Sequence, residues 1–280
     1  MTLPPHETIT SPANPRVRAA AALRDAAARR DAGLTLVDGM RELARAAAAG
    51  IEVVDAFVAA ERIAAGDTEL AAALVPLAAG GTRVSVLAPR AFDRVAFGSR
   101  NEGLVGVVRF AARPLATTSF PTGRPILLVE GVEKPGNLGA ILRTVDAAGL
   151  AGVVACDTRT DPANPAAVRA SLGTVFTVPL AVASTADTIA WCTAHARRVV
   201  AATPDGRLLW HEARLAGPVA ILLGSEALGI SPAWRAAATA GTIRLDSVRL
   251  PMRGAADSLN VAATAAVLAY EAVRQEATEP

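Results

Sequence analysis

The sequence predicts an α/β protein with two domains, and three observations lead to this fold class. Short apolar runs alternate with longer stretches of helical spacing along most of the chain, as strands and helices do in α/β proteins. A segment rich in Pro, Thr and Ser, AARPLATTSFPTGRP, interrupts this alternation at residues 111–125. The length of 280 residues also matches about two domains.

Residues 1–115 form the predicted first domain. They open with an extended start and an Ala/Arg stretch, a basic arm that is also compatible with a solvated helix face. Four runs are then typical of strands: LTLV, IEVVDAFV, TRVSVL and GLVGVVRF. Three stretches between them are typical of helices: GMRELARAAAAG, DTELAAALVPLA and PRAFDRVAF. We expect a small, largely parallel sheet from this alternation.

Residues 116–124 form the predicted linker, and residues 125–280 the second domain. Its predicted strands are ILLVEG, GVVAC, TVFTVPL, RVVAAT and VAILLG. Its helices are expected to begin near Leu138, Pro165, Thr185 and Pro232. A last helix is expected after Ser258, with Ser258 as its N-cap and Asn260 in its first turn.

Composition excludes several classes of protein. The formal net charge is only +2, and Lys134 is the only lysine in a chain that otherwise uses arginine. The two cysteines and three histidines have no spacing typical of a metal site or a disulfide framework, so we predict no metal and a reducing cytoplasm. The start of the chain lacks the features of a secretory signal, and no apolar run of about 18 residues predicts a membrane span.

The stretch VEGVEKPGNLGAILRTVDAAGLAGVVAC, residues 129–156, predicts a β-loop-α-β unit with a candidate ligand site in its turn. Open α/β sheets bind ligands at the carboxyl ends of their strands, and a helix start attracts anions. Neither Gly-x-Gly-x-x-Gly nor a Walker motif is present, which disfavours a dinucleotide enzyme and an NTPase. Taken alone, Arg143 in this helix is more typical of a surface or salt-bridge residue.

Two further segments carry polar residues after an apolar run. In VAILLGSEALGIS, Gly224 permits close backbone approach to a ligand or simply makes a tight turn, and Glu226 is either functional or a solvated loop carboxylate. In IRLDSVRLPMRGAADSLN, an apolar segment meets Pro251 and a glycine-bearing loop before the last helix. Each segment alone is a weak signal.

Together and in this order, these segments resemble the motifs of the SpoU (TrmH-like) family of RNA 2′-O-ribose methyltransferases, in the SPOUT superfamily. The motif Asn-x-Gly-[AS]-[IL]-x-Arg falls on residues 137–143, Gly-x-Glu on 224–226, and Pro-Met-x-Gly-x-x-x-Ser-Leu-Asn on 251–260. The family's Asn-Pro…Arg-x-Ser-x-Gly segment matches residues 164–173. The resemblance is closest to 23S rRNA methyltransferases of the avilamycin- and thiostrepton-resistance types. Lys134 departs from these relatives, which often carry Asn, Ser or Asp there.

The resemblance implies a fold, a reaction and a cofactor. The catalytic domain of the family contains a deep trefoil knot that forms a pocket for S-adenosylmethionine, and the first domain resembles RNA-binding ribosomal proteins. The implied reaction is 2′-O-methylation of RNA, with 23S rRNA as the favoured substrate, by a cytoplasmic homodimer. The implied cofactor contacts are Leu223, Gly224, Ser225, Ile230, Leu250, Met252 and Leu259. The implied catalytic residues are Arg143, Asn137, Glu226, Ser258 and Asn260.

RNA contacts are expected mainly from basic side chains. A guanidinium remains protonated, so a cationic role that lowers the pKa of the ribose hydroxyl suits Arg143 better than that of a base. The candidate RNA-binding residues are Arg16, Arg18, Arg100, Lys134 and Arg169. A tRNA methyltransferase, a non-catalytic RNA-binding member of the family and, more distantly, a nucleotide-dependent oxidoreductase remain as alternatives.

Overall fold

An α/β fold built on two sheets is seen in the computed structural model, which describes residues 6–97 and 102–278. Up to residue 111 the elements are β1 (Glu7–Ile9), α1 (Pro15–Ala22), α2 (Ala26–Ala32), β2 (Leu34–Asp38), α3 (Met40–Ala48), β3 (Val53–Ala59), α4 (Ala60–Ala64), α5 (Thr68–Ala79), β4 (Arg83–Leu87), α6 (Pro89–Val95) and β5 (Leu104–Arg109). From residue 112 they are β6 (Arg113–Pro114), β7 (Ile126–Glu130), α7 (Pro135–Ala148), β8 (Val153–Cys156), α8 (Pro165–Ala170), β9 (Leu180–Ala183), α9 (Thr185–Ala194), β10 (Arg198–Ala202), β11 (Leu208–Leu209), β12 (Val219–Leu223), α10 (Pro232–Thr239), β13 (Leu245–Arg249) and α11 (Val261–Thr278). Short 3-10 turns cover Leu115–Thr117 and Thr174–Phe176.

The first sheet has the strand order β1-β4-β3-β5-β2. Strands β1, β4 and β3 run parallel, but β5 pairs antiparallel with both β3 and β2. The expectation of a largely parallel sheet was therefore wrong for this half. Alternating strand and helix patterns reveal which residues are buried, but they do not encode the direction of a strand.

The chain divides into two units, and each of them is made of two separate stretches of sequence. The first unit holds the described residues up to Ala111 together with Asp161–Thr177, and the second holds Ala112–Thr160 and the described residues from Val178 onward. Residues 161–177, which the sequence analysis places in the second domain, are held by polar contacts within the first unit. Arg29 Nε donates to Asp161 Oδ2 at 2.8 Å, and an Arg45 guanidinium nitrogen donates to the Leu172 carbonyl at 2.7 Å.

The second sheet is parallel throughout its described pairs, in the order β11-β13-β10-β12-β7-β8-β9-β6. Strands β7 and β12 are buried along their whole length, as their uninterrupted apolar runs predict. Helix α7 packs against α11, which also contacts β12. The sequence prediction of a parallel α/β unit is confirmed here. The strand order alone does not reveal the trefoil knot, which stays a prediction.

Two local predictions in the second half were wrong. In TVFTVPL, Thr174–Phe176 forms a 3-10 turn after Gly173, whose φ is +84°, and β9 begins only at Leu180. The last helix begins at Val261, and its N-cap is Asn260 rather than Ser258. Asn260 Oδ1 accepts a hydrogen bond from Ala262 N at 2.9 Å, which satisfies one of the free amides of the first turn.

Candidate functional site

Three side chains from distant parts of the sequence form a hydrogen-bonded chain in the second unit. Asn260 Nδ2 donates to Asn137 Oδ1 at 3.1 Å, and Asn137 Nδ2 donates to Glu226 Oε1. Glu226 follows β12, Asn137 lies in the first turn of α7, and Asn260 precedes α11. The three polar segments singled out in the sequence therefore meet at one place.

Helix α7 places Asn137 by a rigid start. Pro135 occupies the first turn, where its missing N–H costs nothing, and the Lys134 carbonyl accepts from Asn137 N at 3.0 Å. Lys134, the N-cap residue, makes no capping hydrogen bond with its side chain, and the Asn137 carboxamide bonds to Glu226 and Asn260. Leu138, Ile141 and Val145 are buried on one stripe and fix the rotation of the helix.

The loop after β12, residues 224–230, folds back on itself. Ser225 and Gly229 exchange two backbone hydrogen bonds of 3.1 and 3.0 Å, and Leu228 N donates to Ser225 Oγ at 3.0 Å. A Cβ at Gly224 would lie 2.1 Å from the backbone carbon of Gly229, so only glycine fits at this position. Gly224 is thus needed so that the loop can close on itself. This role agrees better with the tight-turn interpretation of Gly224 than with close approach to a ligand.

A cavity of about 440 Å³ lies between this loop, the ends of β10 and β13, and the segment before α11. Its volume is typical of a site for a small molecule or cofactor. No Lys or Arg is among the described residues that line it, whereas the acids Glu226 and Asp257 are. Its lining residues include Thr203, Leu223, Gly224, Ser225, Glu226, Leu228, Val248, Leu250, Met252, Asp257, Ser258 and Leu259.

The predicted cofactor residues converge on this cavity with one difference. Six of them line it: Leu223, Gly224, Ser225, Leu250, Met252 and Leu259. Ile230 is not among the lining residues and instead packs, partly buried, against the apolar core of the second unit. Sequence reasoning missed Thr203 and Asp257. Thr203 directly follows β10, so the rule that ligands bind at the carboxyl ends of parallel strands points to it.

The predicted catalytic residues are partly brought together. Glu226 and Ser258 line the cavity, and Asn137 and Asn260 are joined to Glu226 by hydrogen bonds. Arg143 lies apart from them. It is exposed on α7, six residues beyond Asn137 or about 9 Å along the axis, and its side chain makes no hydrogen bond or ion pair with any described residue.

The predicted RNA-binding residues fall into two groups. Arg16 pairs with Glu7 at 2.7 Å and Asp55 at 2.5 Å, so its charge is largely neutralised. Arg169 donates to the Phe97 carbonyl at 2.6 Å and lies 3.4 Å from Asp38. Arg18 and Lys134 are exposed and have no side-chain partner among the described residues. Arg100 lies outside the described residues.

Arg169 contacts a buried acid. Burial raises the pKa of the Asp38 carboxyl to about 6, against the opposing effect of the Arg169 guanidinium. The carboxylates of Glu102 and Glu42 raise that pKa further. Arg169 thus lies in a buried polar cluster of the first unit.

Thiol chemistry is not supported by the two cysteines. Both lie in the core of the second unit, and burial raises the pKa of the Cys156 thiol and of the Cys192 thiol to about 12. Neither forms the nucleophilic thiolate at neutral pH. No group of His, Cys, Asp and Glu among the described residues is arranged to hold a metal ion. None of the described helices is both long and apolar enough for a membrane span.

Comparison with known proteins decides the family. The sequence profile of the SpoU rRNA Methylase family matches residues 124–270, which include all the residues of the Asn137 network and the cavity. The chain belongs to the SpoU rRNA methylase family. The resemblance drawn from the motifs is thereby confirmed. Residues 14–106 match a second profile, the MRM3-like substrate binding domain.

Relatives of this SpoU methylase match it over both domains. The 23S rRNA (guanosine-2′-O-)-methyltransferase RlmB of Vibrio cholerae is 31% identical over 202 residues, 70% of this chain and 79% of the relative. A crystal structure of an RNA 2′-O ribose methyltransferase superposes with a TM-score of 0.79 at 34% identity, covering 96% of this chain and 99% of the other. The SpoU methyltransferase AviRb from Streptomyces viridochromogenes, in complex with AdoMet, has a TM-score of 0.81 at 28% identity, covering 95% and 100%. The predicted two-domain α/β fold is confirmed by these neighbours.

Proposed function

We propose that this SpoU methylase transfers a methyl group from S-adenosylmethionine to a ribose 2′-hydroxyl of RNA, with 23S rRNA as the favoured substrate. The observation that carries the proposal is a cavity lined by the second and third motifs, with Asn137 of the first motif hydrogen-bonded to Glu226 at its edge. Its described lining residues include two acids and no Lys or Arg. The relative RlmB is named as a 23S rRNA (guanosine-2′-O-)-methyltransferase, and the neighbouring structure of AviRb is a complex with AdoMet. We further propose that the family's trefoil knot is present in the second unit.

The residues of the cavity fit S-adenosylmethionine better than a phosphate-bearing cofactor. That molecule carries a cationic sulfonium, which supplies the methyl group and leaves as a neutral thioether, and it has no phosphate. Leu223, Leu250 and Met252 offer an apolar surface for the adenine, and Glu226 and Asp257 offer negative charge. A dinucleotide or nucleoside triphosphate is normally held by cations or by a glycine-rich helix start, and this cavity has no lysine or arginine among its described lining residues.

Different residues orient Glu226, contact the ribose and bind phosphate in this proposal. Asn137 and Asn260 hold Glu226 in one orientation at the edge of the cavity. Ser258 lines the same edge, where its hydroxyl is available to the ribose. Arg143 has no partner among the described residues, so its guanidinium is free to bind a phosphate and to lower the pKa of the 2′-hydroxyl.

RNA recognition is proposed for exposed cations rather than for paired ones. Arg18 on α1 and Lys134 before α7 are exposed and without ion pairs among the described residues. Arg16 and Arg169 would have to exchange carboxylate or carbonyl partners for phosphate, which makes them weaker candidates. Arg100 remains a candidate from the sequence alone. The match of residues 14–106 to a substrate binding domain supports RNA binding by the first unit.

The assembly is proposed to be a cytoplasmic homodimer formed by the second unit. Its support is a set of exposed apolar side chains: Leu228 is 79% exposed, Leu259 41% and Tyr270 52%. Leu228 and Leu259 border the cavity, and Tyr270 lies on α11. Contiguous exposed apolar surface commonly marks an interface, and Leu228 and Leu259 border the same cavity. Light scattering at micromolar concentration tests this, and a monomer would contradict it.

The reaction is tested by methyl transfer from labelled S-adenosylmethionine to unmodified 23S rRNA and to unmodified tRNA in parallel. We expect label in 23S rRNA, resistant to alkaline cleavage at one ribose. Label in tRNA alone would favour the tRNA methyltransferase, and binding without transfer to either RNA would favour a non-catalytic member. Calorimetric titration with S-adenosylmethionine and with NAD decides the cofactor, and binding of NAD alone would overturn the proposal.

A further inference from the structure

A buried carboxylate at the end of β7 is not used by any of the motifs. Glu130 is 6% exposed and makes no ion pair with any described residue. Its Oε1 accepts from Thr185 Oγ1 at 2.7 Å, and its Oε2 accepts from the backbone amide of Ser231 at 2.7 Å. A buried charge without a cation is costly, so its contacts must compensate for lost hydration.

Two helix starts provide that compensation. Thr185 is the first residue of α9, and Ser231 is the residue before α10. The amino-terminal ends of both helices therefore lie next to the Glu130 carboxyl oxygens, each of which accepts one hydrogen bond there. The Ser231 hydroxyl is buried without a hydrogen-bond partner among the described residues, so Ser231 reaches Glu130 through its backbone alone.

The contact with Ser231 closes the loop that lines the cavity. This loop leaves β12 at Leu223, which pairs with Val129 of β7, and it ends at Ser231, which binds the next residue of β7. Between these ends a Cβ built on Gly131 would lie 3.3 Å from the Ser225 side chain. Both ends of the loop are thus attached to the carboxyl end of β7, the strand that leads into the Asn137 turn.

We propose that Glu130 is a positioning residue that holds the loop of residues 224–230 in the shape that binds S-adenosylmethionine. It acts through the Ser231 amide and does not itself line the cavity. This inference rests on the proposed cofactor. It predicts that loss of the Glu130–Ser231 contact weakens cofactor binding, whereas loss of the Glu130–Thr185 contact affects stability alone.

The test compares Glu130→Gln with Thr185→Val in the full chain. Gln keeps the shape but offers one acceptor atom instead of two, so one donor is left unsatisfied, and Val removes only the hydroxyl of Thr185. We expect the dissociation constant for S-adenosylmethionine, measured by calorimetry, to rise about tenfold in Glu130→Gln. In Thr185→Val it should stay within about twofold although the unfolding midpoint falls. Equal dissociation constants for Glu130→Gln and the wild type would overturn the proposal.

A second measurement, on the wild-type protein, tests the proposal even if the Glu130→Gln variant does not fold. Amide hydrogen exchange of the wild-type protein without ligand should show the Ser231 amide protected like the buried strand β12, and the amide of exposed Ala227 exchanging fast. Fast exchange at Ser231 would overturn the proposal. Absence of S-adenosylmethionine binding to the wild type would instead contradict the proposed function, so the two failures are distinguishable.

Discussion

Asn260 donates a hydrogen bond from Nδ2 to Oδ1 of Asn137 over 3.1 Å, and this contact sets the orientation of both carboxamides. Oδ1 of Asn260 already accepts from Ala262 N at 2.9 Å, so only Nδ2 is left to donate. Asn137 then accepts with its oxygen and must donate with its nitrogen, which it does to Glu226. The start of α11 thereby determines how Glu226 is held at the edge of the cavity.

Asn260→Asp separates the two roles of this residue. Aspartate is as good an N-cap as asparagine, so α11 should keep its start. It has no donor for Asn137, so the chain of hydrogen bonds to Glu226 should break and methyl transfer should fall about tenfold or more. The measurement is turnover at saturating S-adenosylmethionine beside the free energy of unfolding.

Asn260→Ala is the matched variant for that experiment. It removes the cap as well as the donor, and it should cost about 1 kcal/mol of stability in addition to the loss of turnover. Wild-type turnover in Asn260→Asp would show that the hydrogen bond to Asn137 has no part in the reaction.

Arg143→Ala should abolish methyl transfer, by about a hundredfold or more, and leave the affinity for S-adenosylmethionine nearly unchanged. Its side chain is exposed, does not line the cavity and has no partner among the described residues, so its loss should not alter the fold. Arg244→Ala removes another exposed arginine of the same unit and serves as the control. Turnover above a tenth of the wild-type value in Arg143→Ala would refute its catalytic assignment.

The sequence predicts the second sheet well because its strands are uninterrupted apolar runs. Leu127, Val129 and Leu222 are buried on both sides of a parallel sheet, and burial of this kind leaves a clear pattern. The direction of β5 has no such signature, since its residues would be buried equally in a parallel or an antiparallel pair. Six of the seven expected cofactor residues line the cavity, and the sequence pointed to them only because the order of the motifs along the chain matched a known family.

Other features depend on contacts that no local pattern encodes. Asp161 and Leu172 bind Arg29 and Arg45, more than 120 residues earlier in the chain. Arg169 looks in the sequence like a cation for RNA, but Asp38 and the Phe97 carbonyl take up its hydrogen bonds. Ser258 and Asn260 are both good N-caps by type, and only the path of the loop decides between them.

Asp38 should make the stability of the first unit depend on pH. Its pKa is raised from 3.8 to about 6 by burial, so the folded state binds the proton more tightly than the unfolded state. The resulting stabilisation is present below pH 3.8 and is lost as the pH rises through about 6.

The side chain of Asp38→Asn cannot titrate, and its amide oxygen can still accept a hydrogen bond from Arg169. The unfolding midpoint of the variant relative to wild type should therefore rise between pH 4 and pH 6. Parallel curves for the two proteins would contradict the raised pKa.

Arg18 and Arg169 should differ in how they affect RNA binding. Arg18 is exposed on α1 with no ion pair among the described residues, so its guanidinium can displace a counterion from phosphate. Arg169 is committed to the Phe97 carbonyl and to Asp38 within the first unit. Arg18→Ala should therefore weaken binding to 23S rRNA and reduce the slope of log K against log salt by about one, and it should leave S-adenosylmethionine binding unchanged. Arg169→Ala should lower the unfolding midpoint, because it leaves a buried carboxyl without its cation, and it should leave the salt slope unchanged.

Filter binding of both variants and of the wild type at several salt concentrations measures the slopes. If the first unit only stabilises the protein, the Arg18→Ala slope will equal that of the wild type. A reduced slope in Arg169→Ala alone would reverse the assignment and place the RNA on the cluster around Asp38.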